Sequence, residues 1–175
     1  KKIFDYLMEE KQFSIKIGDK EIIAKISRLA EQANGSVLAQ MGQTVVLATC
    51  VLAKKSREGV DYLPLTVDYE EKFYAVGKIK GSRFMKREGK PPDESILTGR
   101  LIDRAIRPCF DQRIRQDIQV IVTVLSYDQE NDTDALSLIA ASLALHISDI
   151  PFNGPVAGLR LGQGDNNFIL NPLNS

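Results

Sequence analysis

Arg100, Arg104 and Arg107 recur at i, i+4 and i+7 in the stretch ESILTGRLIDRAIRPCF. At about 100° per residue they fall within about 60° of one another, so one face of a helix there would carry a row of guanidinium groups. A guanidinium stays charged at any physiological pH, and its planar fork can hold a phosphate through two parallel hydrogen bonds. Just upstream, GKIKGSRFMKREGKPP sets Phe84, Met85, Lys86 and Arg87 in a glycine-rich basic loop. An aromatic face among cations suits a single-stranded nucleic acid, whose bases stack while its phosphates are neutralised. Two competing readings stand beside this one. Asp103 lies three residues after Arg100 and four before Arg107, so the arginines could pair along an exposed helix face. Phe84 taken alone could be a loop anchor packed on the body. One carboxylate against three guanidiniums favours an external polyphosphate, RNA or DNA.

The helix that positions this row is predicted to begin at Pro91-Pro92-Asp93 and to stop at Pro108. Leu97, Thr98, Leu101, Ile102, Ala105 and Ile106 fall on the arc away from the arginines and are expected to face a core. Strands are expected upstream. Phe13, Ile15 and Ile17 alternate with polar residues, turn at Gly18-Asp19-Lys20 and continue from Glu21 to Ile26 as a hairpin. A second hairpin runs from Val37 to Met41, turns at Gly42-Gln43 and returns from Thr44 to Leu52. Its run TVVLATCVL has the composition of a strand buried on both faces. A polar loop covers 54–61, and Leu63, Leu65 and Val67 alternate as an edge or half-buried strand. Downstream come a strand from Ile118 to Leu125 and a buried helix from about Ala135 to Ile147, capped within Asn131 to Asp134. IPFNGP reads as a turn. A last hairpin pairs Val156 to Leu161 with Phe168 to Leu170. The fold class is α+β, a mixed sheet with helices packed on it.

Composition narrows the function classes. With 175 residues, 43% hydrophobic and 26% charged, the chain has the make-up of an ordinary globule. No apolar run is long enough to span a bilayer. The start, KKIFDYLMEEKQF, has acidic residues where a signal peptide needs an apolar stretch. Cys50 and Cys109 lack metal-ligand spacing and form no disulfide framework, so a reducing cytoplasmic setting is expected. Formal net charge is +0, yet ten of the 23 Lys and Arg against four of the 23 Asp and Glu lie between residues 72 and 107. A basic stretch in an acidic body fits a localised nucleic-acid track and not a protein that coats nucleic acid over its whole surface.

The remaining ionisable groups have bland readings. Glu88, Asp93 and Glu94 sit where carboxylates complement a helix start. Asp68, Glu70 and Glu71 read as a solvated loop face and not as a metal site. Asp132 and Asp134 read as helix caps, and the single histidine, His146, as structural.

Several stretches together resemble the polynucleotide phosphorylases, specifically the first of the two RNase PH-like domains in that family: PLTVDYEEKFYAVGKIKGSRFMKREGKP, ESILTGRLIDRAIRPCF, IQVIVTVLSYDQENDTDALSLIAASLAL, and IPFNGPVAGLRLG followed by ILNP. The resemblance runs from about residue 12 to 172, and GRLIDRAIRP and IPFNGP are its most specific parts. It implies an RNase PH-like fold of the ribosomal-protein βαβα type, incomplete at its C-terminal side. It implies phosphorolysis of single-stranded RNA from the 3′ end, with inorganic phosphate as co-substrate, nucleoside diphosphates as product, and reversal to RNA tailing. It implies a homotrimeric ring threaded by RNA, a possible place in an RNA-degradation complex, and Mg2+ as cofactor. By the same resemblance, Phe84, Met85, Lys86 and Arg87 grip RNA where the family usually has Phe-Phe-Arg-Arg. Met85 and Lys86 depart from that pattern, which should weaken the grip, and Arg83 stands close by. Arg100, Arg104 and Arg107 line the RNA route. No catalytic residue and no metal ligand is assigned within residues 1–175, because the family's phosphate-binding serines and metal-binding acids belong to its second RNase PH-like domain. That domain and the KH and OB-fold modules are expected to lie outside this chain. The alternatives are a non-catalytic, exosome-like ring subunit that only binds RNA, and a self-sufficient RNase PH.

Overall fold

The computed structural model describes residues 11–26, 29–79, 81, 90–163 and 168–172. Among these, β1 (Lys11–Ile17), β2 (Lys20–Ile26), β3 (Gly35–Met41), β4 (Thr44–Ser56), β5 (Leu65–Glu71) and β6 (Gln116–Ser126) form one sheet in the order β1-β2-β3-β4-β6-β5. Every pairing is antiparallel except β5 with β6, which run parallel as the two ends of a crossover. That crossover carries α1 (Asp93–Ile106), and α2 (Thr133–Ile147) follows β6. A small hairpin of β7 (Leu161–Gln163) and β8 (Phe168–Leu170) lies apart from the main sheet. The mixed sheet with packed helices is the α+β arrangement expected from the sequence.

The core lies between one face of the sheet and α2. Alternation puts Val37, Ala39 and Met41, then Val46, Ala48 and Cys50, then Ile118, Val120, Val122 and Val124 on that face, all buried. α2 meets it with Leu136, Ala140, Ala141, Ala144 and Leu145. Small residues let the helix approach closely, and Gly35 marks the tightest point. A Cβ there would collide with the Ala144 carbonyl oxygen and lie 3.0 Å from Ser148 Cβ and 3.1 Å from Cys50 Sγ. The Cys50 thiol sits 3.3 Å from Ala144 O, and burial pushes its pKa up, so it stays protonated.

Four expectations need correcting. β4 is buried on one face only: Val45, Leu47 and Thr49 are half-buried and Val51 is exposed, because the described residues stack a helix on one side of the sheet alone. Asp68, Glu70 and Glu71 stand on β5 and not in a loop. Leu97 and Leu101 do not face the core; they are 65% and 48% exposed. The buried stripe of α1 is Ser95, Thr98, Gly99, Ile102 and Ile106, rotated away from the expected arc. Finally, the last hairpin holds Leu161–Gln163 on its first side, and Val156 to Arg160 run outside regular structure.

Asp128 joins the loop after β6 to the β3–β4 turn. Its Oδ1 accepts from the N–H of Glu130 at 2.9 Å and of Asn131 at 2.8 Å, and its Oδ2 accepts from Gln43 N at 3.1 Å and Asn131 Nδ2 at 2.6 Å. Burial alone would raise its pKa, but the donors of Asn131 and then Glu130 prevail and hold the carboxyl well below the usual carboxylate range.

This packing can be tested at two points. Gly35→Ala should lower unfolding free energy by about 1–3 kcal/mol in urea titration, since neither the helix backbone nor Cys50 can move aside. For Asp128, a folded pKa below the unfolded value means its contribution is complete above the unfolded pKa of about 4 and is lost as pH falls through the folded one. The stability gap between wild type and Asp128→Asn should therefore be constant above about pH 5 and close below about pH 4. A gap independent of pH would contradict this account.

Candidate nucleic-acid interface

α1 starts after Pro92, which cannot donate a backbone hydrogen bond, and its first turn carries Asp93 and Glu94, where negative charge complements the helix dipole. The sequence-predicted ends, Pro91-Pro92-Asp93 and Pro108, match the observed helix and the short 3₁₀ turn Arg107–Cys109 that closes it. Burial of Ile102 and Ile106, worth about 1.5–3 kcal/mol each, fixes the rotation of the helix.

β5 is the edge of the sheet, and α1 lies along its outer side. Gly99 faces this edge at ordinary packing distance: a Cβ there would sit 3.5 Å from Val67 O and 3.7 Å from Tyr69 N. Farther along, Arg107 closes the edge. Its Nη2 donates to Leu65 O at 3.1 Å and its Nη1 to Leu63 O at 3.4 Å, while Nε and Nη2 hold the two Asp103 oxygens at 3.0 and 2.6 Å. The three arginines therefore differ in role. Arg107, the residue for which Asp103 offered an i, i+4 partner, is committed within the chain. Arg100 and Arg104 are exposed, and among the described residues neither makes an ion pair or hydrogen bond. The expected row of three outward cations is a pair of outward cations beside one that ties the helix to the sheet edge.

Between β5 and α1 runs a groove of about 980 Å³. Its strand side offers Thr66, Asp68, Glu70 and Phe73, and its helix side Lys90, Pro92, Ser95, Ile96 and Arg100. Each carboxylate on the strand side has a partner: Asp68 accepts from Gln119 Nε2 at 3.1 Å, Glu70 pairs with Lys72 at 2.8 Å, and Glu71 accepts from the Tyr69 hydroxyl at 2.9 Å. Burial first, and the nearby Glu71 carboxylate after it, push the Tyr69 pKa far up, so the phenol remains a donor. Tyr69 also shares a 2.9 Å hydrogen bond with the Thr133 hydroxyl at the start of α2.

The start of α2 is taken up by its own residues. Asp132 caps it, accepting from Asp134 N at 3.0 Å, and pairs with Arg160 at 2.7 Å. Asp134 accepts from the Thr98 hydroxyl at 3.0 Å, tying α1 to α2; burial and the Asp132 charge raise its pKa against the opposing pull of Thr98 and Arg160. The capping role expected for Asp132 holds; Asp134 stands instead within the first turn, its carboxylate spent on Thr98 and not on a cap. His146 is exposed at the end of α2. Among the described residues, no group of three His, Cys, Asp or Glu is placed to hold a metal ion. Phe84, Met85, Lys86 and Arg87 lie outside the described residues.

The groove itself, with Phe73, Lys90 and Ile96 on its walls, was not foreseen from the arginine pattern. A signal was present: Phe73-Tyr74 directly precedes the glycine-rich basic loop.

Residues 18–151 match the model of the 3′ exoribonuclease family, domain 1. This chain belongs to that family. Relatives named polyribonucleotide nucleotidyltransferase include those of Anaeromyxobacter dehalogenans, 49% identical over 89% of this chain, Exiguobacterium sibiricum, 52% identical over 93%, and Thermomicrobium roseum, 54% identical over 91%. The chain spans only 20–22% of the length of these three. Two solved structures share the fold. A chain of the Archaeoglobus fulgidus exosome with RNA bound to the active site matches with a TM-score of 0.64 at 20% identity, over 92% of this chain and 67% of that one. Rrp46 from rice matches with a TM-score of 0.62 at 15% identity, over 95% of this chain and 69% of that one. The RNase PH-like fold of this exoribonuclease family is thus established for the chain.

The unequal arginines generate a test. Arg107→Ala should lower unfolding free energy by about 1–3 kcal/mol, because it strands a carboxylate and two edge carbonyls. Arg100→Ala should leave stability within about 0.5 kcal/mol, as for an ordinary surface change. Equal effects in parallel urea titrations would contradict the division.

Proposed function

We propose that residues 1–175 form the first RNase PH-like domain of a polyribonucleotide nucleotidyltransferase that degrades single-stranded RNA from its 3′ end. An oxygen of inorganic phosphate attacks the terminal internucleotide phosphorus. The bond from that phosphorus to the 3′ oxygen of the preceding nucleotide breaks, and a nucleoside diphosphate leaves. Reversal adds nucleotides from diphosphates. Within this scheme the domain guides RNA and helps build the ring, and the bond-breaking centre belongs to the remainder of the complete protein.

The observation that carries this reading is the exposed pair Arg100 and Arg104 beside a groove, in a chain about half identical to relatives with that name. Two exposed guanidiniums one turn apart can engage successive backbone phosphates. Phe84, Met85, Lys86 and Arg87 are proposed to grip the strand from the neighbouring loop. Arg107 contributes by holding α1 so that its neighbours point outward. A homotrimeric ring, a place in an RNA-degradation complex and a cytoplasmic setting are further parts of the proposal. Mg2+ is proposed as the cofactor of the complete enzyme. The described residues present no ligand set for it, so no step here passes through a metal. No helix of the described residues is long and apolar enough to cross a membrane.

The test uses the protein expressed from its complete reading frame. It should release nucleoside diphosphates from single-stranded RNA only when phosphate is present. Arg100→Glu combined with Arg104→Glu should weaken RNA binding and flatten its salt dependence, by about 0.7 in the log–log slope for each phosphate that is no longer neutralised. Unchanged affinity and slope would remove these arginines from the RNA track.

A further inference from the structure

We propose that Tyr74 and Lys78 together hold one nucleotide of the RNA strand: the Tyr74 ring stacks a base, and the Lys78 ammonium neutralises an adjacent phosphate. This rests on the RNA-guiding role proposed above. It adds two residues to that role, outside both the Phe84 to Arg87 loop and the Arg100, Arg104 pair.

Tyr74 is 56% exposed, and among the described residues its side chain makes no ring contact and no hydrogen bond. It stands on the 3₁₀ turn Phe73–Val76. In such a turn residues three apart eclipse one another, and the position three after Tyr74 is Gly77. That residue has no side chain to lay over the ring, and the space beside it is open: a Cβ there would meet no heavy atom within 4 Å. Its φ of 69° lies in the left-handed region that favours glycine, so the turn itself requires the residue that leaves the ring uncovered. The support is fixed. Ala75 is buried and its carbonyl accepts from Tyr127 N at 2.9 Å, while Gly77 N donates to Tyr74 O at 2.9 Å. A ring on such a turn is presented without a large ordering cost.

Lys78 belongs to the same turn. Its backbone N donates to Phe73 O at 3.0 Å, which ends the turn and sets Lys78 beside it. Lys78 is exposed, and among the described residues it has no ion-pair partner. The carboxylates nearest in sequence are committed elsewhere, Glu70 to Lys72 at 2.8 Å and Glu71 to the Tyr69 hydroxyl at 2.9 Å. The turn therefore presents an uncovered aromatic and an uncommitted cation four residues apart. These match the two parts of a nucleotide, a base with a π-face and a phosphate with negative charge. The strand-side lining of the groove ends at Phe73, so the contact stands just past one end of the groove.

The experiment measures binding by the complete protein of two strands of equal length, an oligoadenylate and its abasic counterpart, across a salt series. Tyr74→Leu should weaken oligoadenylate binding at fixed salt by about 5-fold or more, as expected when one base no longer has a ring to stack on. It should leave the salt slope and the binding of the abasic strand unchanged, since every phosphate partner is retained. Tyr74→Phe should keep wild-type affinity, because stacking uses the ring and not the hydroxyl. Lys78→Gln should instead weaken both strands and flatten the log–log salt slope by about 0.7, one phosphate's share. Thermal melting and sedimentation check that each variant is folded and assembled as the wild type is, and Tyr74→Gln serves where Tyr74→Leu is not folded. Oligoadenylate affinity within about twofold of wild type for a folded Tyr74→Leu would overturn the proposal. So would an equal loss on both strands, or a changed assembly state, which would place Tyr74 at a contact between subunits. If the Tyr74 and Lys78 variants are silent while the Arg100, Arg104 double substitution weakens binding, this inference alone fails. If all are silent, the RNA-guiding reading fails with it.

Discussion

The outer edge of β5 is the constraint on which the candidate interface depends. A strand at a sheet edge presents unpaired N–H and C=O groups that must be covered or blunted. Here a helix is laid along it, with Gly99 against Val67 O and Tyr69 N and Arg107 donating to the Leu63 and Leu65 carbonyls. Once α1 is held at both points and Ile102 and Ile106 are in the core, it has no freedom to roll. Arg100 and Arg104 then project outward, and the strip left between helix and strand becomes the groove. One arginine used for structure sets the direction of two that remain exposed.

A comparable close approach governs the middle of the sheet. α2 packs its small residues on β3 and β4, and the Gly35 contact with the Ala144 carbonyl sets their separation. The start of α2 then reaches toward α1 through Thr98 with Asp134 and toward β5 through Thr133 with Tyr69. These bonds lie in partly buried surroundings, where a broken partner costs more than in water. The groove is thus bounded by elements that are cross-braced, which suits the RNA track proposed above: a flexible strand would bear the ordering cost and the protein would not.

Much of this was legible in the sequence, and the failures have identifiable causes. Period-two alternation located β1, the turns at Gly18-Asp19-Lys20 and Gly42-Gln43 placed the hairpins β1–β2 and β3–β4, and the caps of both helices were readable from Pro92 and Asp132. What misled was the assumption that apolar residues define the buried face. Leu97 and Leu101 are larger than Gly99 and Thr98, yet the smaller pair faces inward, because the partner of α1 is a strand backbone at close range and not a layer of side chains. Burial on both faces of β4 was inferred from composition, which reports hydrophobicity but not how many layers are stacked. Asp103 was recognised as a possible partner for Arg107 or Arg100. The choice between them came from the Leu63 and Leu65 carbonyls, about 40 residues distant in sequence and invisible to any local pattern.

Charge illustrates the same limit from the other direction. The chain carries no formal net charge, and the groove mixes both signs, which by bulk electrostatics would attract nucleic acid poorly. The arrangement matters more than the sum. Carboxylates on β5 are engaged by Gln119, Lys72 and Tyr69, and Asp103 is engaged by Arg107. The cations on the opposite wall, Lys90 and Arg100, have no such commitment among the described residues. The two walls thus differ in character, whereas a uniformly basic groove would attract a polyanion more strongly but in no defined orientation. In the exoribonuclease role proposed above, the RNA would have to advance after each nucleotide is removed. Moderate attraction with a fixed orientation serves that need better than tight binding, because each phosphate that is held must also be released.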